Sequence, residues 1–197
     1  HGDSPYGVFD RVVNDLQVPR TSFKATDIIV VANPVRSADG LSRFRRVTEI
    51  AEVRKHWEDD PVRENGFVSL MKYNADSDML EPTDALINGE SDILKAIAGS
   101  VKEFAGDWNA VWQEILLRAD IKELLVSASE EDEDHEMLEA SFVIRANDAY
   151  HKISQRMRQS ADYSVEKIKR EFTIWLDKAR HVARGFKEKV DDTGWKN

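Results

Sequence analysis

The sequence predicts an α+β fold, in which a short N-terminal helix and a small antiparallel β-meander precede an all-helical C-terminal bundle. Up to residue 84, runs rich in β-branched residues alternate with turn-forming residues, as in a meander. From residue 85 to 197, apolar residues recur every three or four positions, which is the period of amphipathic helices. We therefore divide the chain into two domains, 1–84 and 85–197.

The N-terminal helix is predicted over residues 4–16. Ser4 is a good N-cap, and Pro5 suits the first helical position because the N–H that proline lacks would be unpaired there. One face of this helix is apolar and is expected to lie against a core. It carries Phe9, Val12, Val13 and Leu16.

Four strands follow a connector at 18–23. The run at 27–36 is apolar enough at its start to indicate a strand buried on both faces. The run at 43–53 alternates, with one slip near Arg45 and Arg46 that indicates a β-bulge. Shorter strands are expected at 66–74 and 78–83, so that the segments form antiparallel hairpins.

The C-terminal half is predicted to contain four helices. Ser91 caps the first (91–104), and Asp107 caps the second, which bends near Ala119 and continues to residue 126. The acidic run 129–136 is expected to begin the third, where the helix dipole favours negative charge. The last helix, 163–186, has the strongest apolar stripe and needs a partner helix; the stripe comprises Val165, Ile168, Phe172, Trp175, Ala179, Val182 and Phe186.

Charge and composition exclude several function classes. The 197 residues carry a formal net charge of −9, which repels phosphate backbones and argues against general nucleic-acid binding. There is no cysteine, so disulfides, thiolate metal sites and cysteine nucleophiles are excluded. The phosphate-loop, dinucleotide, nucleophile-elbow and HExxH zinc motifs do not occur in the sequence.

Three groups of residues have both a functional and a structural interpretation. The acidic residues Asp132, Asp134 and Glu139 with His135 resemble a metal site but fit a solvated helix start better. The tryptophans at 108, 112 and 175 could line a ligand pocket, although their helical spacing favours a core role. The arginines at 43, 45 and 46 could bind a phosphate or carboxylates, or form a solvent face balanced by the glutamates at 49 and 52, which we favour.

The opening of the chain resembles the histidine box of the secretion-superfamily ATPases, the hexameric motors of type II secretion, type IV pili and archaeal flagella-type filaments. The resemblance is closest to the archaeal branch, good over residues 1–55, loose over 56–83 and slight over 85–197. The box is matched by His1, Gly2, Asp3 and Ser4, then Phe9, Asp10, Arg11, Val12 and Val13. The following strand pair is matched by Arg46, Val47, Thr48, Glu49, Ile50, Glu52 and Val53.

This resemblance implies that residues 1–84 form the C-terminal edge of a RecA-like nucleotide domain. It implies that His1 is the histidine that senses the γ-phosphate, while Arg11 matches a recurrent position without an assigned phosphate contact. The phosphate loop and the acidic boxes that hold ATP and magnesium would lie upstream of His1, in the full-length protein. Its partners would be the remainder of the ATPase, neighbouring subunits of a hexamer and the inner-membrane platform protein, at the cytoplasmic face of the membrane.

Two functions therefore stand as hypotheses. In the first, the chain is the C-terminal fragment of a secretion or pilus-assembly ATPase motor, which transmits force but does not catalyse hydrolysis alone. In the second, it is a stand-alone acidic helical module that binds a protein partner through an exposed apolar groove. A reading frame that encodes a phosphate loop upstream of His1 would favour the first, and a start codon directly before His1 the second. A nucleic-acid translocase is a distant third.

Overall fold

The computed structural model describes residues 2–37, 39–160 and 164–192, with side chains as far as residue 180. Its described residues form the predicted α+β fold. Helices precede and follow, along the chain, an antiparallel four-stranded sheet. The chain separates into two compact units, His1–Val111 and Trp112–Asn197. The boundary that we drew after residue 84 falls inside the first unit, because the next two helices pack with the sheet.

The first unit contains four short helices, a π-helical turn and the sheet. The short helices are α1 (Pro5–Phe9), α2 (Arg20–Phe23), α3 (Asp84–Ile87) and α4 (Asp92–Gly99). The π-helical turn, Asp10–Asp15, continues α1 directly. The strands are β1 (Ile28–Arg36), β2 (Arg43–Val53), β3 (Phe67–Asn74) and β4 (Met79–Pro82).

The strands form the predicted meander, in the order β1-β2-β3-β4. Val31 pairs with Glu49 and Ala32 with Val47, so Thr48 is the extra residue of a bulge in β2. Arg45 and Arg46 themselves pair regularly, so the bulge lies two residues beyond Arg46, close to the predicted slip. A second irregularity separates Ile50 from Ala51 in the pairing of β2 with β3.

The prediction that β1 is buried on both faces is wrong. Only Ile29 and Val31 are buried, and they pack with Phe9, Phe23, Val53 and Trp57. The residues between them alternate to the other face, where Ile28, Val30 and Ala32 are exposed. We call these three residues the β1 apolar face. Among the described residues β1 pairs with β2 alone, so β1 is an edge strand.

The N-terminal helix begins as predicted. The Ser4 hydroxyl accepts a hydrogen bond from the Gly7 N–H at 3.0 Å, and Pro5 occupies the first helical position. Phe9 is buried, and Val12 and Val13 pack against the same core. Leu16, which we placed on this face, is exposed, because the π-helical turn changes the angular position of the residues that follow Phe9.

The second unit is built from three long helices, α5 (Trp108–Glu131), α6 (Ala140–Gln159) and α7 (Val165–Asp192). The Asp107 side chain accepts from the Ala110 N–H at 3.1 Å at the start of α5, as predicted. The expected bend near Ala119 is absent from the described helix, which runs unbroken to Glu131. Its buried stripe in this unit consists of Leu117, Ile121 and Leu125.

The acidic run 129–136 does not begin a long helix. Its first residues end α5, and a 3₁₀ turn at His135–Leu138 separates them from α6. Negative charge is unfavourable at a helix C-terminus. Arg180 of α7 offsets it, because its guanidinium bonds the Glu131 carboxylate at 3.1 Å. The predicted Ser91 cap of α4 is also present, but α4 ends at Gly99 rather than at 104.

The stripe on α7 is confirmed as far as the described side chains extend. Ile168, Phe172 and Ala179 are buried, and they share one core with α5 and α6. The partner helix that the stripe required is therefore present. The side chains of Val182 and Phe186 lie outside the described residues. No described helix combines the length and the apolar character that a bilayer span needs.

Replacing Phe172 with alanine should destabilise the second unit. Phe172 is fully buried, and deletion of a buried phenyl ring typically costs about 3–5 kcal/mol in unfolding free energy. The matched control is Ile174→Ala on the same helix, where the side chain is 42% exposed and a loss of at most about 1 kcal/mol is expected. Urea unfolding followed by circular dichroism measures both; equal losses would show that the α7 stripe is not the core.

Candidate functional site

The candidate site is the loop that precedes α1, where we expected a histidine box from the sequence resemblance. His1, the predicted phosphate-sensing residue, lies outside the described residues. Gly2 lies against the start of α1, and a Cβ atom added there would be 2.6 Å from the Val8 backbone nitrogen. Any larger residue would therefore displace the loop from the helix.

Asn33 of β1 fixes this loop to the sheet. Its side-chain amide donates to the Asp3 carbonyl oxygen at 2.9 Å and to the Thr48 hydroxyl at 3.3 Å. Thr48 is the bulged residue of β2, and its hydroxyl donates to the Val31 carbonyl at 3.3 Å. The bulge thus places the Thr48 hydroxyl beside the Asn33 amide. Asn33, held in this way, in turn anchors the loop.

Arg11 lies in the π-helical turn rather than beside the loop's backbone donors. Its guanidinium pairs with Asp15 at 2.7 Å, and both side chains are about half exposed. The amide of Asn14 similarly bonds Asp10 at 2.6 Å. Exposed pairs of this kind contribute little to stability. Arg11 is therefore engaged in a local pair within its own helical turn.

Aromatic rings beneath α1 hold this part of the first unit in place. Phe9 lies edge-on to Phe23, with centroids 5.3 Å apart, and to Trp57 at 5.5 Å. Trp57 is fully buried, and the Lys24 ammonium lies 4.7 Å from its ring centroid. Trp57 follows no periodic pattern in the sequence, because it stands in an irregular acidic loop, and it was therefore not among the three tryptophans considered above. Such rings contribute both buried area and edge-to-face attraction.

Glu52 was expected on the solvent face of β2, but it is a buried carboxylate. It is 1% exposed, and its Oε2 accepts from the Ser91 hydroxyl at 2.5 Å. Its Oε1 accepts from the Asp92 N–H at 3.0 Å and lies 3.4 Å from the Arg54 Nε. Glu52 therefore caps α4 from the sheet, and Ser91 is the only sequence signal that pointed to this place.

Arg54 completes this cluster. It also pairs with the Asp92 carboxylate and donates to the Glu90 carbonyl oxygen. The Arg54 guanidinium holds the pKa of Asp92 below its ordinary value, because its hydrogen bond favours the ionised carboxylate. The cluster's donors are directed into protein groups, which indicates a structural role.

The arginine cluster divides into one engaged and two exposed side chains. Arg46 makes a bidentate pair with Asp78, at 2.8 Å from Nε and 2.7 Å from Nη2. Tyr73 donates its hydroxyl to the same carboxylate at 2.8 Å. Arg43 and Arg45 are exposed. The proposed balance by Glu49 and Glu52 is wrong, because Glu49 accepts from Ser69 and Glu52 is buried.

The acidic residues near residue 132 do not assemble a metal site. Within the described residues, no group of three or more histidine or acidic side chains could hold a metal ion. Asp134 instead accepts from the Glu136 N–H at 3.1 Å and so caps the 3₁₀ turn.

Trp108, one of the three tryptophans considered for a ligand pocket, packs against other parts of the first unit. It is half-buried with its ring against Gly89, and its Nε1 donates to the Ile87 carbonyl at 2.8 Å.

The second unit has a buried polar network centred on Glu114. Tyr150 donates its hydroxyl to Glu114 Oε1 at 2.6 Å, and the Nε of Arg118 donates to the same oxygen at 2.9 Å. Arg158 donates to Oε2 at 2.7 Å. Burial, followed by the hydrogen bond to Glu114, raises the pKa of Tyr150 above its ordinary value.

Comparison with known proteins leaves the site to be interpreted from its own geometry. No family model matches this chain. No curated protein matches it either.

Removing the Glu52 carboxylate should destabilise the first unit strongly. Glu52→Ala leaves Arg54, the Ser91 hydroxyl and the Asp92 N–H without their shared acceptor, and breaking a buried pair costs about 3–5 kcal/mol. Glu58→Ala is the control, because the Glu58 side chain is exposed. Its removal should lower the free energy of unfolding by less than about 0.5 kcal/mol. Unfolding free energies from urea titrations test this; a neutral Glu52→Ala would contradict the role of Glu52 as a cap.

The pairing of Arg46 with Asp78 predicts an acid-dependent contribution to stability. Hydrogen bonds from Arg46 and Tyr73 lower the pKa of Asp78 from 3.8 to about 2. Because the folded-state pKa is depressed, the contribution is complete above pH ~4 and is lost as pH falls towards 2. The stability difference between the wild type and Asp78→Asn should therefore be constant above pH ~4 and shrink below it. A difference that is constant from pH ~6 to ~2 would contradict the ion pair.

Proposed function

We propose that the chain is the C-terminal part of a secretion-superfamily ATPase, in which it transmits force and shape but does not hydrolyse nucleotide alone. The observation that carries the proposal is the β1 apolar face. Ile28, Val30 and Ala32 are exposed on an edge strand, although a run of this composition is typical of a strand covered on both faces. Soluble proteins protect such edges, because they invite pairing with other chains.

The remainder of a nucleotide domain is the partner that would cover this face. Val30 lies opposite Ile50 of β2, which is half-buried, so the apolar surface extends onto the neighbouring strand. The loop that carries the first box residues is anchored to β1, because the Asn33 amide donates to the Asp3 carbonyl oxygen. The box residues pack on the side of β1 that carries Ile29 and Val31, and the β1 apolar face is the opposite side of the same edge strand. In the proposal, this strand is the edge of a larger nucleotide domain.

The chemistry of phosphoryl transfer supports a non-catalytic role for this part. Transfer depends on positioning and charge stabilisation by a phosphate-loop lysine and Mg²⁺. The sequence contains no phosphate-loop motif. In the proposed parent, ATP and magnesium would be held by that upstream portion, and His1 would lie near the γ-phosphate and couple nucleotide state to movement.

The proposed setting is a hexameric motor at the cytoplasmic face of a membrane. The first unit would contact the rest of its own subunit and a neighbouring subunit, and the helical unit would pack on the motor or contact the inner-membrane platform protein. The second candidate function, a stand-alone protein-interaction module, is favoured by exposed apolar residues on the helical unit, among them Val143 and Ile144 of α6.

The experiment compares this chain with the complete ATPase that the proposal predicts. The chain alone should show no micromolar binding of labelled ATP with Mg²⁺. In the complete protein, Val30→Lys should lower ATP turnover at least about tenfold, because burying an unpaired ammonium costs more than the ~1.4 kcal/mol that corresponds to tenfold. In the isolated chain the same substitution should leave the melting temperature almost unchanged, since Val30 is 57% exposed.

Val62→Lys is the matched control, because Val62 is 56% exposed but lies in the loop between β2 and β3, away from the β1 apolar face. It should leave both turnover and melting unchanged. Micromolar ATP affinity of the isolated chain, or equal turnover of the two lysine variants, would overturn the proposal.

A further inference from the structure

The second unit contains a cleft between α5 and α6 that the proposed function does not use. Its floor consists of four residues that also belong to the helical core, and its rim consists of four more exposed ones. The floor residues are Ile121, Leu125, Ala146 and Tyr150. The rim residues are Arg118, Lys122, Val143 and Asn147. The cleft therefore combines an apolar interior with a polar mouth.

The size of the cleft selects the kind of occupant. Its volume is about 120 Å³, whereas pockets for free small molecules usually measure about 300–1,000 Å³. An apolar cavity of roughly 150 Å³ accepts a molecule of the size of benzene. The cleft thus matches one side chain inserted by another polypeptide, as in recognition of a helix that lies in a groove.

The charge of the rim selects the sequence around that side chain. Arg118 and Lys122 lie one turn apart on α5, and the described residues that line the cleft include no acidic side chain. On the other wall, α6 contributes Val143, Ala146, Asn147 and Tyr150, which are all uncharged. Charge complementarity therefore favours a partner segment with carboxylates on either side of its apolar residue.

The Glu114 network makes this mouth rigid. Arg118 is half exposed, but its Nε is held by the Glu114 carboxylate at 2.9 Å, and its guanidinium carbon lies 5.9 Å from the centroid of the Tyr150 ring. Tyr150 is itself fixed by its 2.6 Å hydrogen bond to Glu114. A positioned guanidinium loses less entropy when it binds a carboxylate than a mobile one does.

We propose that the α5–α6 cleft is a docking site for an acidic helical segment of a partner protein. An aliphatic side chain of the segment enters the cleft, and flanking carboxylates pair with Arg118 and Lys122. This inference does not depend on the ATPase proposal, because every residue in it belongs to the helical unit, and it concerns binding of a polypeptide rather than nucleotide.

The test uses two labelled helical peptides of equal length, added to the full chain. In one, a central leucine is flanked by glutamates one turn away on each side, and in the other these are lysines. Fluorescence anisotropy should show binding of the glutamate peptide below about 1 mM, with affinity for the lysine peptide at least about tenfold weaker. Amide chemical-shift changes should concentrate at Val143 and Asn147.

Lys122→Glu should weaken binding of the glutamate peptide about tenfold and strengthen binding of the lysine peptide, because the change reverses one charge of the rim. Lys178→Glu, an equally exposed charge reversal on α7, is the matched control and should alter neither affinity. Lys122 is exposed, so an unchanged circular dichroism melting curve is expected for both variants.

Three results would overturn the inference. Equal affinity for both peptides would show a purely apolar surface, and absence of binding at 1 mM would show that the cleft accepts no such segment. Self-association of the free chain that Lys122→Glu abolishes would show that the occupant is a second copy.

Discussion

The first unit depends on one buried carboxylate. Glu52 lies at the end of β2 and has no access to water, so its charge must be satisfied inside the protein. The sheet supplies Arg54, and the start of α4 supplies the Ser91 hydroxyl and the Asp92 N–H. Because the carboxylate caps this helix, movement of α4 away from the sheet would remove two of the hydrogen bonds that satisfy Glu52. This constraint explains why a helix that the sequence assigns to the second half belongs to the first unit.

The helical unit also contains a buried carboxylate that is surrounded by hydrogen-bond donors. This carboxylate is Glu114, and its donors come from its own helix and from α6. The network fixes Tyr150 and Arg118, whose other sides border an open cleft. In the first unit the buried carboxylate closes a contact between elements, whereas in the second it also holds a cation at the protein surface. Satisfied buried networks of this kind specify one arrangement of side chains.

Strand β1 of the first unit is buried on one face and exposed on the other. The face with Ile29 and Val31 is closed by an aromatic cluster around Trp57, and the side chains on that face account for the core of this unit. The opposite face of β1 remains apolar and exposed. An apolar run that alternates between a core and solvent places hydrophobic area where a monomeric fold would place polar residues. The proposed function follows from this mismatch and from the order of residues in the box.

The elements whose signals are local could be predicted from the sequence. The caps at Ser4, Ser91 and Asp107 depend on a side chain and an N–H two or three residues away, and the meander and the α7 stripe depend on short-range periodicity. Tertiary structure alone decided which face of β1 and α5 became buried, and where the acidic run lies. It also brought Glu52 to Ser91 and Tyr150 to Glu114, pairs that are separated by 39 and 36 residues. Such contacts leave no local pattern, because their free energy comes from the shared burial of groups that meet only when the chain is folded.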